Sequence, residues 1–160
     1  MFWIDTITAT IAIVATAVIF GTDTLTALVS RAAFAEIDDR ALVQFTGRSH
    51  RYGDRRLSVV GVLSVVFSVA TVGLAVLAQS VPAAVVASIV VVSLAVWLML
   101  FARISAPINK RLTAAALADE VPADARALQE RWESIIVLRS VLQGVAVVGL
   151  CVALALIAAA

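Results

Sequence analysis

The chain has 160 residues, of which 62% are hydrophobic and 14% charged, with a formal net charge of +1. Soluble domains carry about 25% charged residues, so this length and composition, with a mean hydropathy of +1.07, describe a single integral membrane domain over residues 1–160. Near-neutrality removes the concentrated basic face that nucleic-acid binding needs. The single cysteine, Cys151, and single histidine, His50, exclude an intrachain disulfide and the usual zinc, haem-pair and iron–sulfur ligand sets, so no metal and no cofactor is expected.

Crossing the hydrocarbon takes roughly 20 apolar residues in a helix. Four runs qualify, at about residues 3–29, 57–79, 83–104 and 136–158. The first has neither a basic n-region nor a convincing cleavage site and reads as a retained anchor. It contains Asp23, between Thr22 and Thr24. An ionisable group in a span costs roughly 2.5–3.5 kcal/mol on insertion scales, so a carboxylate there needs a reason.

In the following "SRAAFAEIDDRALVQFTGRSH", Phe34, Ile37, Ala41, Leu42 and Phe45 recur at helical spacing opposite Glu36, Asp39 and Arg40. That pattern predicts an amphipathic helix on the inner surface, or an extension of span one. "GRSHRYGDRRL", residues 47–57, gathers His50, Tyr52, Asp54, Arg55 and Arg56 around Gly53. His50 with Asp54 is a candidate acid/base pair, the carboxylate fixing the imidazole tautomer. The alternative is a basic collar on anionic headgroups.

In span two, Gly61, Ser64, Ser68 and Thr71 mark one face as a packing seam. "AQSVPA", with Pro82 as a breaker, joins spans two and three as a tight hairpin. Trp97 and Phe101 in span three, at i and i+4, wall a pocket for a flat ligand or serve as core or lipid-facing aromatics. In "ARISAPINKRL", Pro107 is expected to stop the helix ladder, with Asn109 satisfying freed backbone groups. Pro122 and Asp124 resemble a further helix start, from which Leu128 and Trp132 would face the membrane. Trp3 and Trp132 suit the two interfacial belts. Span four carries Arg139 about one turn inside its end and Gln143 one turn deeper on the same face, beside Ser140 and Gly144 as a small-xxx-small pair.

Every Lys and Arg falls in the two long connections or just inside span four. By the positive-inside rule both termini face outside and both connections face the cytoplasm, in a multi-pass protein of the cell membrane. Span one then runs inward and span four outward, which brings Asp23 and Arg139 to similar depth and predicts that they pair. The expected fold is all-α: a four-helix up-down bundle with amphipathic cytoplasmic connections, spans two and three being adjacent and antiparallel.

"SAPINKRL" followed by "ERWESIIVLRSVLQ" resembles the signature of the anthrone-oxygenase-like family of small four-span membrane proteins. "HRYGDRRLSVVGV" and "FGTDTLTALVSRAAFAEIDDRAL" are similar to its actinobacterial-type members, so the likeness covers nearly the whole chain. The family's Pro-x-Asn is matched by Pro107 and Asn109, its Arg-Trp by Arg131 and Trp132, and its arginine just inside the last span by Arg139. Many members carry a histidine or asparagine one turn before that arginine, where this chain has Ile135, Ile136 and Val137.

The resemblance implies oxidation of an anthrone carbon to the anthraquinone with dioxygen, a reaction that carbanion-like anthrones undergo without a metal. Asp23 or His50 would take the substrate proton, Arg139, Gln143 and Asn109 would hold the developing enolate oxygen, and Trp97 and Phe101 would flank the ring. The alternative is a non-catalytic accessory or small-ligand-binding protein in which Asp23 and Arg139 are structural. The partners expected are membrane lipids and a small aromatic ligand; a homo-oligomer is left open.

Overall fold

The computed structural model describes residues 2–159, all in helices and short connections, with no strand among them. Four helical segments are long and apolar enough to cross a membrane: Trp3–Glu36, Asp39–Leu77, Val81–Ala118 and Ala125–Ala158. The first comprises α1 (Phe2–Leu25), a five-residue π-helical turn (Thr26–Ser30) and α2 (Arg31–Glu36). α3 (Asp39–Leu77) is 39 residues long. At 1.5 Å per residue it reaches about 58 Å, roughly twice the hydrocarbon thickness, so only its apolar C-terminal half fits in a membrane. α4 (Val81–Leu100), a second π turn (Phe101–Ser105) and α5 (Ala106–Ala118) form another long helix, followed by α6 (Ala125–Glu133) and α7 (Ile136–Ala158).

The amphipathic stretch after span one is broken rather than continuous. Ile37 and Asp38 adopt extended backbone, and the Asp38 carboxylate accepts from the Ala41 N–H at 2.8 Å, capping α3. Leu42 and Val43 are buried at the start of α3, while Phe45 stays exposed. Arg126 clamps the break by donating to the Phe34 and Ile37 carbonyls at 2.8 and 2.7 Å. Pro107 also departs from expectation, since the helix runs through it. Proline tolerates the first turn of a helix because its missing N–H would be unpaired there, and the π turn over 101–105 re-sets the ladder immediately before it.

α1 packs on α3 and α7, and α4 packs on the same two helices. Thr16 meets Ser64 and Thr24 meets Ser140, each hydroxyl pair at 2.7 Å. Gly61 lies against Trp97, Gly144 against Phe20 and Gly149 against Val90. The predicted seam residues Gly61, Ser64, Ser68 and Thr71 are all buried. A separate core, including Val43, Ile108, Leu112, Ala116, Ala125, Trp132 and Ile136, joins the connections to one another. They are thus a packed helical layer.

The tightest contact in that layer is at Gly47, where a Cβ would sit 2.3 Å from the Leu112 carbonyl oxygen and 2.5 Å from the Ala116 Cβ. Backbone cannot yield as a flexible side chain does, so Gly47→Val should lower the thermal stability of the detergent-solubilised protein by about 1–3 kcal/mol or more. Gly73→Ala, where nothing lies within 4 Å, should be neutral or stabilising by up to about 1 kcal/mol. Equal losses in both variants would contradict the close α3–α5 approach.

Candidate functional site

On α1 the residues Ala12, Thr16, Ile19 and Asp23 recur every three or four positions, and all are buried. On α7, Arg139, Gln143, Ala146 and Leu150 do the same. These faces meet, and the expected pair forms. Asp23 and Arg139, each 5% exposed, approach to 3.0 Å, with a further contact at 3.2 Å to the other carboxylate oxygen. Gln143 donates its side-chain amide to the same carboxylate at 2.6 Å. The second terminal nitrogen of Arg139 donates to the Ser105 hydroxyl at 2.7 Å. The guanidinium also faces the rings of Phe101 and Trp132 at 5.7 and 5.5 Å, a further stabilising environment for a buried cation.

A second polar chain lies beside the first. Asn109 donates to Asp54 at 2.9 Å and accepts from the Trp132 indole N–H at 2.9 Å. Trp132 is 8% exposed, so it faces inward rather than the membrane, because Asn109 supplies the partner its N–H needs. Asn109 is thereby committed to side chains and not to freed backbone. The expected His50–Asp54 pair is absent among the described hydrogen bonds. Asp54 instead bonds to Asn109, and His50 packs its ring 5.5 Å from that of Trp132. His50 and Asp54 lie in the polar N-terminal half of α3, before its apolar run begins at Leu57. Burial, with the Arg139 charge nearby, pushes the His50 imidazole down to about 4, so the ring is neutral at ordinary pH. Burial raises the Asp54 carboxyl, against the Asn109 hydrogen bond.

Both chains border one cavity of about 530 Å³, within the 300–1,000 Å³ range of small-molecule sites. Asp23, His50, Asn109, Arg139, Trp97 and Phe101 all line it, and the last two stack with ring centroids 6.4 Å apart. Gln143 stands behind Asp23 and does not reach the wall. The Trp97 N–H interacts with Asp23 without completing a hydrogen bond of normal geometry. Sequence reasoning missed Ser105, Gln129 and the inward role of Trp132. Ser105 lay in the quoted "SAPINKRL" but carried no periodic signal of its own. A larger open groove of about 670 Å³, near Gln79 and Ser80, is lined by aliphatic, serine and glutamine side chains and holds no ionisable group. No group of histidines, cysteines and carboxylates suited to a metal occurs among the described residues.

No family model, curated protein or solved structure matches the chain. The likeness to the anthrone-oxygenase-like family therefore stands on the residues quoted above.

The pair geometry makes a quantitative claim. Removing one partner leaves the other charge buried, which costs about 3–5 kcal/mol, whereas removing both leaves no orphan. Asp23→Asn and Arg139→Gln should each destabilise strongly, and the double variant should lose less than the sum. Thermal unfolding in detergent reads this directly, and additive losses would show that the two charges are not coupled.

Proposed function

We propose that this is a multi-pass cell-membrane protein, a four-helix up-down bundle with both termini outside and the α2–α3 and α5–α6 layer in the cytoplasm. The charge distribution supports that orientation. Single cysteines introduced as Ser49→Cys and Ala159→Cys, in a Cys151→Ser background, test it with an impermeant thiol reagent on intact cells. Ala159→Cys should label at once and Ser49→Cys only after permeabilisation; the reverse pattern overturns the orientation.

Within that frame we propose that the cavity binds a flat aromatic molecule with an acidic C–H or phenolic group and oxidises it with dioxygen, as the resemblance to anthrone oxygenases implies. The observation that carries this reading is that Asp23, His50, Trp97, Phe101, Asn109 and Arg139 line one aromatic-walled cavity. The roles proposed for them follow. Asp23 is held by Arg139 and Gln143 and is a poor base. His50, neutral and with no partner for its Nε2 among the described residues, faces the cavity as this reading's proton acceptor, a weak base that needs an acidic substrate C–H. Its abstraction of a proton from the substrate methylene leaves an enolate whose oxygen is stabilised by the fixed Arg139 charge. Dioxygen adds at the carbanion carbon, and the resulting peroxide anion recovers the proton from His50. The hydroperoxide then loses water, so that CH₂ and O₂ become C=O and H₂O.

Anthrone in air-saturated detergent solution provides the test, followed by anthraquinone absorbance and oxygen uptake. The protein should exceed the spontaneous rate, and His50→Gln should remove on the order of 10²-fold or more of the acceleration. Binding without turnover would assign the cavity to the non-catalytic ligand-binding alternative. Absence of binding would overturn both.

A further inference from the structure

The cavity is divided by polarity. At its inner end three buried nitrogens lack a hydrogen-bond partner among the described residues: Nε2 of His50, Nε1 of Trp97 and Nε of Arg139. Buried polar atoms are nearly always paired in folded proteins, so this concentration fits a ligand bearing an oxygen. At the other end the wall is formed by Val62, Val66 and Leu98, which are 61%, 54% and 45% exposed on the outside of the bundle. All three belong to the apolar parts of α3 and α4, which the membrane reading places against hydrocarbon.

A wholly enclosed site would fit a compact ring, and a site open to the cytoplasm would fit a water-soluble one. This cavity is lined by exposed Phe45, Ser49 and Ser58 on one side and by the exposed apolar side chains of Val62, Val66 and Leu98 on α3 and α4 on another. We propose that its ligand is a membrane-dissolved amphiphile: a phenol or quinone ring carrying an alkyl or isoprenoid chain. The ring oxygen sits against His50, Trp97 and Arg139, and the chain leaves past Val62, Val66 and Leu98 into the bilayer. The inference rests on the aromatic-ligand reading above and adds the chain, its exit and the direction of entry.

The test uses the full chain in lipid nanodiscs with two probes that share a benzoquinone ring, one bearing a decyl chain and the other a methyl group. Quenching of intrinsic tryptophan fluorescence gives Kd for each. Val62→Phe and Val66→Phe fill the seam without adding an indole, and thermal unfolding verifies that each variant folds. Comparing each probe with itself across variants cancels its partitioning into lipid. Both variants should weaken the decyl probe by at least about tenfold while leaving the methyl probe within about twofold, a one-step change in affinity easily resolved. Equal effects on both probes, or none on either, overturn the chain exit. Failure of the unmodified protein to bind either probe removes the aromatic-ligand reading itself, which is a different result.

Discussion

The arrangement depends on one constraint: a carboxylate and a guanidinium buried in apolar surroundings must find each other. Between apolar helices in a bilayer the hydrophobic effect gives little preference for one neighbour over another, because lipid tails are as apolar as leucine. Asp23 and Arg139 supply that preference. A buried ion pair is often no more stabilising than well-packed apolar side chains, so its effect here is selection of geometry. With Gln143 on the carboxylate and Ser105 on the guanidinium, the cluster ties α1, α7 and the second π turn to one register. Mispaired helices would leave at least one of those groups without a partner.

The second π turn shows how the backbone meets that constraint. Trp97, Phe101, Ser105 and Asn109 are spaced by four, and each step of four in an α-helix overshoots a full turn by about 40°. Three such steps would carry Asn109 about 120° around the helix from Trp97, by the same geometry. The wider turn over 101–105 takes up the overshoot. Trp97, Phe101 and Asn109 therefore share the cavity wall while Ser105 reaches Arg139. It also places Pro107 in a fresh first turn, which explains why the proline does not stop the helix. The turn over 26–30 follows Asp23 in the same manner before α2 brings Phe34 to the cavity. Single π turns of this kind occur often at functional sites.

What was legible in the sequence follows from the range of the interactions. The spans and the Pro82 hairpin are local properties, readable from apolar run length and a breaker. The Asp23–Arg139 pair was readable despite 116 residues of separation because reading the apolar runs as spans reduces the search to depth, and charge pattern gives depth. The helical layer built from the connections offered no such reduction. Leu128 and Trp132 at helical spacing suit a lipid-facing stripe and a protein core equally well. The choice is made by Asn109, 23 residues away, and by the core around Leu112 and Ile136. Likewise His50 and Asp54 share a helix face, which made them look like a pair, but Asn109 captures the carboxylate from 55 residues away. The Gly47 approach to α5 left only a glycine as its trace.

The distribution of satisfied and unsatisfied groups separates structure from function in this bundle. Asp23 and the ends of the Arg139 fork are fully engaged, as groups with a structural role should be. The seven buried side-chain atoms without partners among the described residues are not scattered evenly. Four belong to residues that line the same cavity: His50, Trp97, Gln129 and Arg139. A fifth, on Gln143, lies directly behind Asp23. Only Asp5 and Ser68 lie elsewhere. A scaffold with no ligand would gain by replacing such atoms with apolar ones, because an unpaired buried polar group costs about 1–3 kcal/mol. Their clustering on one aromatic-walled cavity, with the charged pair locked beside it, is the feature on which the ligand-binding proposal rests.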